Sequence, residues 1–379
     1  MSHGRLSRRR FMERVGATAL AGSATVATGG RLARAERRQA SGRETPKICM
    51  GLSSRASDSD MRRIKQLGVD HVLMGGPAIP WQESALRDIM NTFMAGGLKV
   101  CNMMISGFPN TIYGRPGRDE EIAKVNASIS AAGKAGLRVV EYNFYAHRAM
   151  EGYYEVIGRA GAGYTGFDYE RMKDLPPLPE EGAHTLDEMW ANIAYFLKAV
   201  IPVAEQSEVR LALHPNDPPA PLSRGSEQIM GTVEGWKRLI GIVNSPANGI
   251  TFDCGVTREI GEDPVAVCRY FATRDRINHA HFRNVRMHVP REKYEEVFID
   301  EGDVDMFAVM REVVRSGYRF AIYPEHPRAL DYDREVAKPS GGLRGYPGGG
   351  GYAGDAFNVA YTRAMLQAAV SASRELRQG

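Results

Sequence analysis

The sequence predicts an α/β fold in which eight parallel strands, each followed by a helix, close into a (β/α)₈ TIM barrel. From residue 46 onward, eight short apolar runs rich in β-forming residues alternate with longer runs of helical period. Several of the helical runs end in glycine just before the next strand, which allows a left-handed helix cap. An open doubly wound sheet is the competing fold, but no GxGxxG motif follows the first strand.

The predicted strands recur at the spacing of βα units. Their ranges are 47–53, 69–76, 98–105, 137–145, 209–216, 249–255, 277–284 and 320–326. Two segments interrupt the alternation, residues 146–185 after the fourth strand and residues 327–354 after the eighth. Both follow the carboxyl end of a strand, where barrel enzymes build their sites, so we expect long substrate loops there.

The first residues have the features of an export signal. The motif SRRRF at residues 7–11 fits the twin-arginine pattern, a weakly apolar run follows, and ARA at residues 33–35 provides a small-x-small cleavage site. The apolar run is too short for a membrane span, so no stable membrane insertion is expected. We predict a twin-arginine signal peptide over 1–35, a disordered linker over 36–45 and a catalytic barrel over 46–379, exported to the periplasm or the medium.

Composition argues against several partner classes. The chain has 379 residues, of which 25% are charged, and its formal net charge is +4. Because basic residues concentrate in the first forty positions, the remainder is near neutral or acidic, and no nucleic-acid partner is expected. The four cysteines, at positions 49, 101, 254 and 268, form no CxxC pair and predict no disulfide framework.

Four metal-competent residues lie at the carboxyl ends of the last four predicted strands. They are His214, Asp253, His281 and Glu325. Because the ends of neighbouring barrel strands converge on one axial site, we predict that these side chains bind a single divalent cation. Two imidazoles and two carboxylates suit Mn²⁺, with Fe²⁺ and Mg²⁺ as alternatives.

The sixth strand offers two possible ligands, since alternation lets only one of Asp253 and Cys254 face the barrel axis. Cys254 shares its face with Phe252, whose apolar ring is expected to meet the outer helices, and this favours Asp253 as the inward residue. A thiolate at that corner would shift the preference toward Zn²⁺ or Fe²⁺.

The seventh strand places His279, His281 and Arg283 on one face by the same alternation. We expect His279 to lie too deep for the ion that His281 binds. Arg283 is expected nearer the mouth of the barrel, where its guanidinium would bind a substrate carboxylate. His147 and Arg148, which open the segment after the fourth strand, are further candidates for contact with the substrate.

Six motifs resemble those of the mannonate dehydratases, which belong to the xylose-isomerase-like TIM barrels. They are YNFY (142–145), HPNDPP (214–219), NGITFDCG (248–255), AHFRNVR (280–286), EGDVDM (301–306) and YPEHP (323–327). The resemblance implies a hydro-lyase of carbohydrate metabolism that uses a divalent metal, usually Mn²⁺, and converts D-mannonate to 2-keto-3-deoxy-D-gluconate and water. It also implies a small sugar acid as the bound partner and a homo-oligomer, since relatives are often dimers.

The resemblance further implies roles for individual residues. The family's ligand positions correspond to His214, His281 and Glu325. His326 is implied as the residue that transfers a proton, and Tyr352 of GGGGYAGD as the acid that a closing loop brings to the leaving hydroxyl.

Two positions depart from the family pattern. The family has a cysteine at the strand-six corner and an aspartate at strand eight, where this chain has Asp253 and Glu325. An aspartate and a glutamate at these positions resemble the ketose epimerases and isomerases of the wider group. A metal-dependent epimerase or isomerase is therefore an alternative function, and a barrel that binds sugar acids without turnover is another.

Overall fold

Eight parallel strands form the closed barrel that the sequence predicts. In order around the barrel they are β1 (Lys47–Gly51), β14 (Ala321–Tyr323), β11 (Ile277–His281), β10 (Asn248–Asp253), β7 (Arg210–Leu213), β4 (Val139–Tyr142), β3 (Lys99–Ile105) and β2 (His71–Gly75). Each predicted strand overlaps one of these, so the predicted (β/α)₈ fold is confirmed.

The structure is a computed structural model that describes residues 45–337 and 345–378. The predicted signal peptide, and the predicted linker up to residue 44, lie outside these ranges. Within them, no helix combines the length and the apolar character that crossing a membrane requires. The four cysteines all carry free thiols.

Helices connect the barrel strands, and several of them begin at side-chain caps. Ser57 and Thr185 each accept a hydrogen bond from the third backbone N–H of the helix that follows, as part of a capping box. The helices are α1 (Asp58–Gln66), α2 (Glu83–Ala95), α3 (Pro109–Tyr113), α4 (Arg118–Ala135), α5 (Leu186–Gln206), α6 (Val233–Ile242), α7 (Cys254–Glu259), α8 (Pro264–Ala272), α9 (Met306–Arg315), α10 (Asp331–Ala337) and α11 (Tyr352–Gln378). Short 3₁₀ turns occupy Met150–Gly152, Arg159–Gly161 and Tyr169–Arg171.

A second sheet, which the sequence did not predict, arises from the segment after β4. This segment contains β5 (Tyr153–Ile157) and β6 (Gly163–Asp168). They join the hairpin of β12 (Val285–Val289) and β13 (Lys293–Glu296) in an antiparallel sheet of order β12-β13-β6-β5. A further short hairpin pairs β8 (Leu222–Ser223) with β9 (Ser226–Glu227).

The segment after β14 is held against this antiparallel sheet. Isolated bridges pair Gly163 with Ala329 and Arg328 with Gly349. Gly348 has a φ of 72°, and a Cβ at this position would lie 2.1 Å from the carbonyl oxygen of Tyr164. Only glycine allows this conformation and this close approach, so Gly348 fixes the path of the loop over the sheet.

The register of the barrel strands aligns the ends that carry the predicted ligands. Asp253, the last residue of β10, pairs with His281, the last residue of β11, and His281 in turn pairs with Tyr323 at the end of β14. On the other side of β10, Ile250 pairs with Leu213, the residue before His214. The four chain positions are therefore neighbours at one mouth of the barrel.

Candidate active site

The structure brings the four predicted metal ligands together. One donor atom from each of His214, Asp253, His281 and Glu325 lies within 4.8 Å of the others. His281 Nδ1 is central to the group, at 3.1 Å from His214 Nε2, 2.8 Å from Glu325 Oε1 and 3.9 Å from Asp253 Oδ2. We call these four side chains the ligand cage.

Local hydrogen bonds orient two of these side chains. The Nδ1–H of His214 donates to the carbonyl oxygen of Pro215 at 2.7 Å, so the lone pair of Nε2 points into the cage. Asp253 caps helix α7 by accepting the N–H of Val256 on Oδ1 at 2.9 Å, which directs Oδ2 toward His281. Cys254 points elsewhere, because its thiol donates to the carbonyl oxygen of Arg283 at 3.2 Å.

The cage has the properties of a site for a divalent cation. Glu325 Oε1 is buried and accepts no hydrogen bond within the described residues. Ligand atoms bound at 2.0–2.2 Å to one ion lie about 3 Å from each other, which agrees with the distances of 2.8 and 3.1 Å around His281. Two imidazole nitrogens and two carboxylate oxygens are also a chemically suitable donor set for a first-row divalent metal.

A buried carboxylate lies beneath the cage, inside the barrel. Glu141 Oε1 is 3.6 Å from His281 Nε2, and its two oxygens accept hydrogen bonds from Thr251 at 2.6 Å and from Asn102 at 2.8 Å. His279 is fully enclosed at this level, with 1% of its surface exposed. It is not one of the four cage residues, but with Glu141 and His281 it forms a second group whose donor atoms lie within 4.8 Å of one another.

Arg283 does not lie where the sequence predicted. Only 2% of the residue is exposed, and its Nε and Nη1 donate to Asp253 at 3.1 Å and to Glu259 at 2.6 Å. Strand β11 ends at His281, so the alternation of faces no longer applies two residues later. The prediction that Arg283 binds a substrate carboxylate is therefore wrong. The Arg283 guanidinium instead holds the carboxylate of Asp253 through a buried hydrogen bond.

His326 lies beside the cage with its ring held from the opposite side. Its Nδ1–H donates to Glu296 Oε2 at 2.9 Å, and its Nε2 is 3.5 Å from Glu325 Oε2. The ring of Tyr346 packs against it at a centroid distance of 4.6 Å. The backbone of His326 has a φ of 49°, a strained conformation for a residue with a side chain.

Tyr346, rather than the predicted Tyr352, is the loop tyrosine of the site. Tyr352 begins helix α11, and its hydroxyl donates to the carbonyl oxygen of Arg63 at 3.1 Å. The described residues that line the pocket beside the cage include Tyr346 but not Tyr352. The structure therefore does not bring Tyr352 to the pocket as the sequence predicted, because its hydroxyl is hydrogen-bonded to the backbone of helix α1.

The ligand cage opens into a pocket of about 190 Å³. Three cage residues, His214, His281 and Glu325, line the pocket, and the other lining residues include Asn143, Tyr145, Arg148, His326 and Tyr346. The Arg148 side chain is 33% exposed, whereas that of Arg283 is 2% exposed, so Arg148 is the guanidinium that faces the pocket among the described residues. It donates through Nε to the carbonyl oxygen of Asp217 at 2.8 Å and through Nη2 to the hydroxyl of Tyr346.

His147, the neighbour of Arg148, is turned away from the pocket. Its ring nitrogens contact Glu181 at 2.7 Å and Glu151 at 3.1 Å. Of the two residues suggested as substrate contacts at the start of this segment, the structure brings only Arg148 to the site.

The charges of the site favour a bound cation. Burial raises the pKa of the Asp253 carboxyl. Burial opposes protonation of His281, but the carboxylates of Glu325 and Glu141 outweigh it and raise the pKa of His281 to about 9. Burial likewise opposes ionisation of Glu325, yet the neighbouring rings of His281 and His326 hold its pKa well below the usual range. The cage therefore attracts positive charge.

Sequence reasoning missed Tyr346 and the hairpin residue Glu296. Tyr346 stands in the motif RGYPGG, six residues before Tyr352 in a second Gly-Tyr pair. That repeated pattern was the available signal, although it does not show which tyrosine turns inward. For Glu296 no local signal exists, because its approach to His326 depends on the pairing of β13 with β6.

Comparison with known proteins shows which family this chain resembles. A model of the D-mannonate dehydratase (UxuA) family matches residues 145–372. A mannonate dehydratase from Thermotoga petrophila is 31% identical over 322 residues, which cover 75% of this chain and 89% of the relative. A mannonate dehydratase from Streptococcus equi subsp. zooepidemicus is 29% identical over 291 residues, which cover 69% of this chain and 79% of the relative.

Solved structures also resemble this chain, one of them a mannonate dehydratase. The crystal structure of the mannonate dehydratase from Streptococcus suis matches with a TM-score of 0.77 at 25% identity, covering 86% of this chain and 96% of that one. An L-ribulose 3-epimerase matches with a TM-score of 0.53 at 15% identity, covering 87% of this chain and 98% of that one. The second likeness concerns the fold alone.

Proposed function

The chain belongs to the mannonate dehydratase family of hydro-lyases, and from this premise we propose that it is a metal-dependent sugar-acid dehydratase. Its proposed substrate is D-mannonate, and its products are 2-keto-3-deoxy-D-gluconate and water. One observation carries the proposal beyond the family: three residues of the ligand cage (His214, His281 and Glu325), the Arg148 guanidinium and the His326 imidazole all line one small pocket. These are the groups that dehydration of a hydroxy acid requires.

The proposed metal is Mn²⁺, held by His214, Asp253, His281 and Glu325. Carboxylate-rich sites with imidazole ligands suit Mn²⁺, and Fe²⁺ is the next choice. A divalent cation bound there would stabilise the negative charge that develops on the substrate oxygens when the proton next to the carboxylate is removed.

Arg148 is proposed to bind and orient the substrate carboxylate. Its guanidinium is exposed to the pocket, and a planar guanidinium matches the two oxygens of a carboxylate. A neutral ketose has no carboxylate with which to make this paired interaction. Arg148 therefore supports an acid, rather than a neutral sugar, as the substrate.

His326 and Tyr346 are proposed to transfer the protons. His326 takes the proton from C2, and Tyr346 donates its hydroxyl proton to the hydroxyl group that leaves C3 as water. Burial raises the pKa of Tyr346, so its hydroxyl is protonated at neutral pH. Because Arg148 donates to the oxygen of Tyr346, the phenolic hydrogen is free for the substrate, and the guanidinium would stabilise the phenolate that remains. The enol product then tautomerises to the 2-keto acid.

Product analysis tests the proposal directly. The purified protein is incubated with D-mannonate and MnCl₂, and the 2-keto-3-deoxy acid is measured by the periodate–thiobarbituric acid reaction. We expect product with Mn²⁺ and none after removal of metal by a chelator. Absence of product with Mn²⁺, Fe²⁺ and Mg²⁺, each added in excess, would contradict the proposed reaction.

The strand-six ligand favours a second candidate function. Asp253, rather than Cys254, presents a donor atom to the cage, and this departs from the cysteine of the family pattern. The same cage would serve a sugar epimerase or isomerase, in which a proton moves between neighbouring carbons without loss of water. Chromatography of ketoses incubated with the protein and Mn²⁺ distinguishes the two, because an epimerase interconverts the sugars and yields no keto-deoxy acid.

A further inference from the structure

We propose that Glu296 is a positioning residue that holds His326 in the tautomer and orientation needed for proton transfer. The inference rests on the proposed function, in which His326 takes the proton from C2. It assigns a role to the β12–β13 hairpin, which stands outside the barrel and reaches the site through the last residue of β13.

Glu296 contacts both the ring and the loop of His326. The carboxylate is 1% exposed, and its Oε2 accepts hydrogen bonds from His326 Nδ1 and from Arg328 Nη2, each at 2.9 Å. Arg328 in turn donates through Nε and Nη2 to the carbonyl oxygen of His326, at 3.0 and 2.8 Å. Glu296 and Arg328 therefore hold the imidazole and the strained backbone of His326 together.

This arrangement determines which nitrogen of His326 is available. A histidine whose Nδ1–H donates to a carboxylate presents Nε2 as the proton acceptor, and the carboxylate stabilises the imidazolium that forms. Nε2 of His326 lies on the cage side of the ring, 3.5 Å from Glu325 Oε2. Without Glu296 the two tautomers would compete, and the ring could turn within its pocket.

A purely structural role is the competing explanation. Glu296 also lies 3.8 Å from Arg283, so its carboxylate helps to balance two buried guanidinium groups. Removing a partner from a buried ion pair destabilises a protein whatever its catalytic role. The test must therefore separate an effect that passes through His326 from a general loss of packing.

Glu296→Gln removes the charge with little change of shape, and Glu295→Gln is its matched control. Glu295 is the preceding residue of the same strand and pairs with Arg286 at 3.0 Å, away from His326. With D-mannonate and Mn²⁺ we expect E296Q to lower kcat about 10–100-fold, the range for residues that orient a catalytic histidine. KM should stay within about threefold and the metal content should equal that of the wild type. E295Q should match the wild type in all three measurements.

A double-mutant cycle with His326→Asn decides between the two explanations. If Glu296 acts through His326, E296Q will cost nothing further in the H326N background. An equal loss of kcat in both backgrounds, or a parallel loss of metal from E296Q, would overturn the proposal. If E296Q fails to fold, Glu296→Asp replaces it in the same double-mutant cycle. This variant keeps the negative charge but shortens the side chain by one methylene, and the expected result is the same.

Failure of the proposed function is recognised separately, because the wild type would then form no keto-deoxy acid. The positioning role would still be measurable in ¹⁵N-histidine spectra, where the signal missing from H326N identifies His326. We expect Nδ1 of His326 to be protonated in the wild type and E295Q, and this state to be lost or mixed in E296Q. An unchanged signal in E296Q would refute the inference.

Discussion

Nε2 of His214 lies 3.1 Å from Nδ1 of His281, although 67 residues separate the two in the chain. Barrel topology creates this proximity, because His214 follows β7 and His281 ends β11, with only β10 between them. These two imidazole nitrogens face each other beside the carboxylates of Asp253 and Glu325, so four potential donor atoms converge on one point. A shared cation would satisfy all four groups at once.

His281→Ala should abolish stable metal binding. We expect about one divalent ion per wild-type chain by elemental analysis after incubation with MnCl₂ and desalting. Little or none should remain in H281A, because Nδ1 of His281 contacts the donor atoms of the other ligands. His288→Ala, at a partly exposed histidine of β12, should keep the full complement. Full metal content in H281A would remove His281 from the cage.

Arg148→Met should weaken the binding of the substrate carboxylate. A charge-assisted hydrogen bond contributes about 1.5–3 kcal/mol, so we expect KM for D-mannonate to rise about 10–100-fold. Steady-state kinetics at saturating Mn²⁺ measures this change. Arg159→Met is the control, since Arg159 pairs with Asp300 at the surface, and its KM should be that of the wild type. An unchanged KM in R148M would mean that another group binds the carboxylate.

The two loop tyrosines provide an internal comparison. Tyr346→Phe removes the proposed acid and should lower kcat about 100-fold, within the range for general acid catalysis. Tyr352→Phe loses a hydrogen bond to the backbone of Arg63 and should leave kcat unchanged. Initial rates of keto-deoxy acid formation distinguish them. If Y352F were impaired and Y346F were not, the original prediction from the sequence would be restored.

The convergence of the four predicted ligands could be foreseen because each position depends on one strand. His214, Asp253, His281 and Glu325 each stand at or just beyond the end of a barrel strand, and topology alone makes such ends converge. Arg283 was placed wrongly, because the rule of alternating faces was extended past the point where β11 ends. The prediction that Asp253, and not Cys254, faces the axis agrees with the direction of their side chains.

The antiparallel sheet could not be predicted from local patterns. Strand β6 (GYTGFD) contains two glycines, and β5 (YYEVI) is short, so neither has the long apolar alternation that marks a strand. Their partners β12 and β13 follow more than a hundred residues later. Glu296 reaches His326 only because this long-range pairing forms, and that information is not contained in the residues around either one.

Replacement of the twin arginines should block export. The motif lies in residues 1–44, which the structure does not describe, and the prediction rests on the sequence alone. We expect Arg8→Lys/Arg9→Lys to retain the protein in the cytoplasm of a bacterial host with the twin-arginine pathway, as measured by immunoblots of cell fractions. Arg10→Lys, at the variable position of the motif, should still be exported. Retention of the unaltered chain would show that the segment is not a functional signal in that host.

An ion pair between helices α8 and α9, away from the site, predicts a pH-dependent contribution to stability. Glu312 accepts two hydrogen bonds from Arg269, at 2.9 and 3.1 Å, and two from Arg315, at 2.7 and 3.3 Å. The hydrogen bonds from Arg269, followed by those from Arg315, lower the pKa of Glu312 from 4.5 to about 2. A depressed carboxyl pKa means that the native state favours the ionised form, so the stabilisation is complete above about pH 4.5 and is lost as the pH falls toward 2.

Glu312→Gln should therefore lower the thermal midpoint at pH 7, but by a decreasing amount as the solution is acidified below pH 4.5. Both arginines are about half exposed, and such pairs contribute at most about 1 kcal/mol, so the difference at pH 7 should be about 2 °C or less. Differential scanning fluorimetry from pH 7 to pH 3 measures it, with Glu234→Gln, at an exposed pair with Lys237, as the control. Because Glu312 lies between two outer helices, kcat should be unaffected. A destabilisation that is the same at every pH would mean that packing, and not the charge of Glu312, makes the contribution.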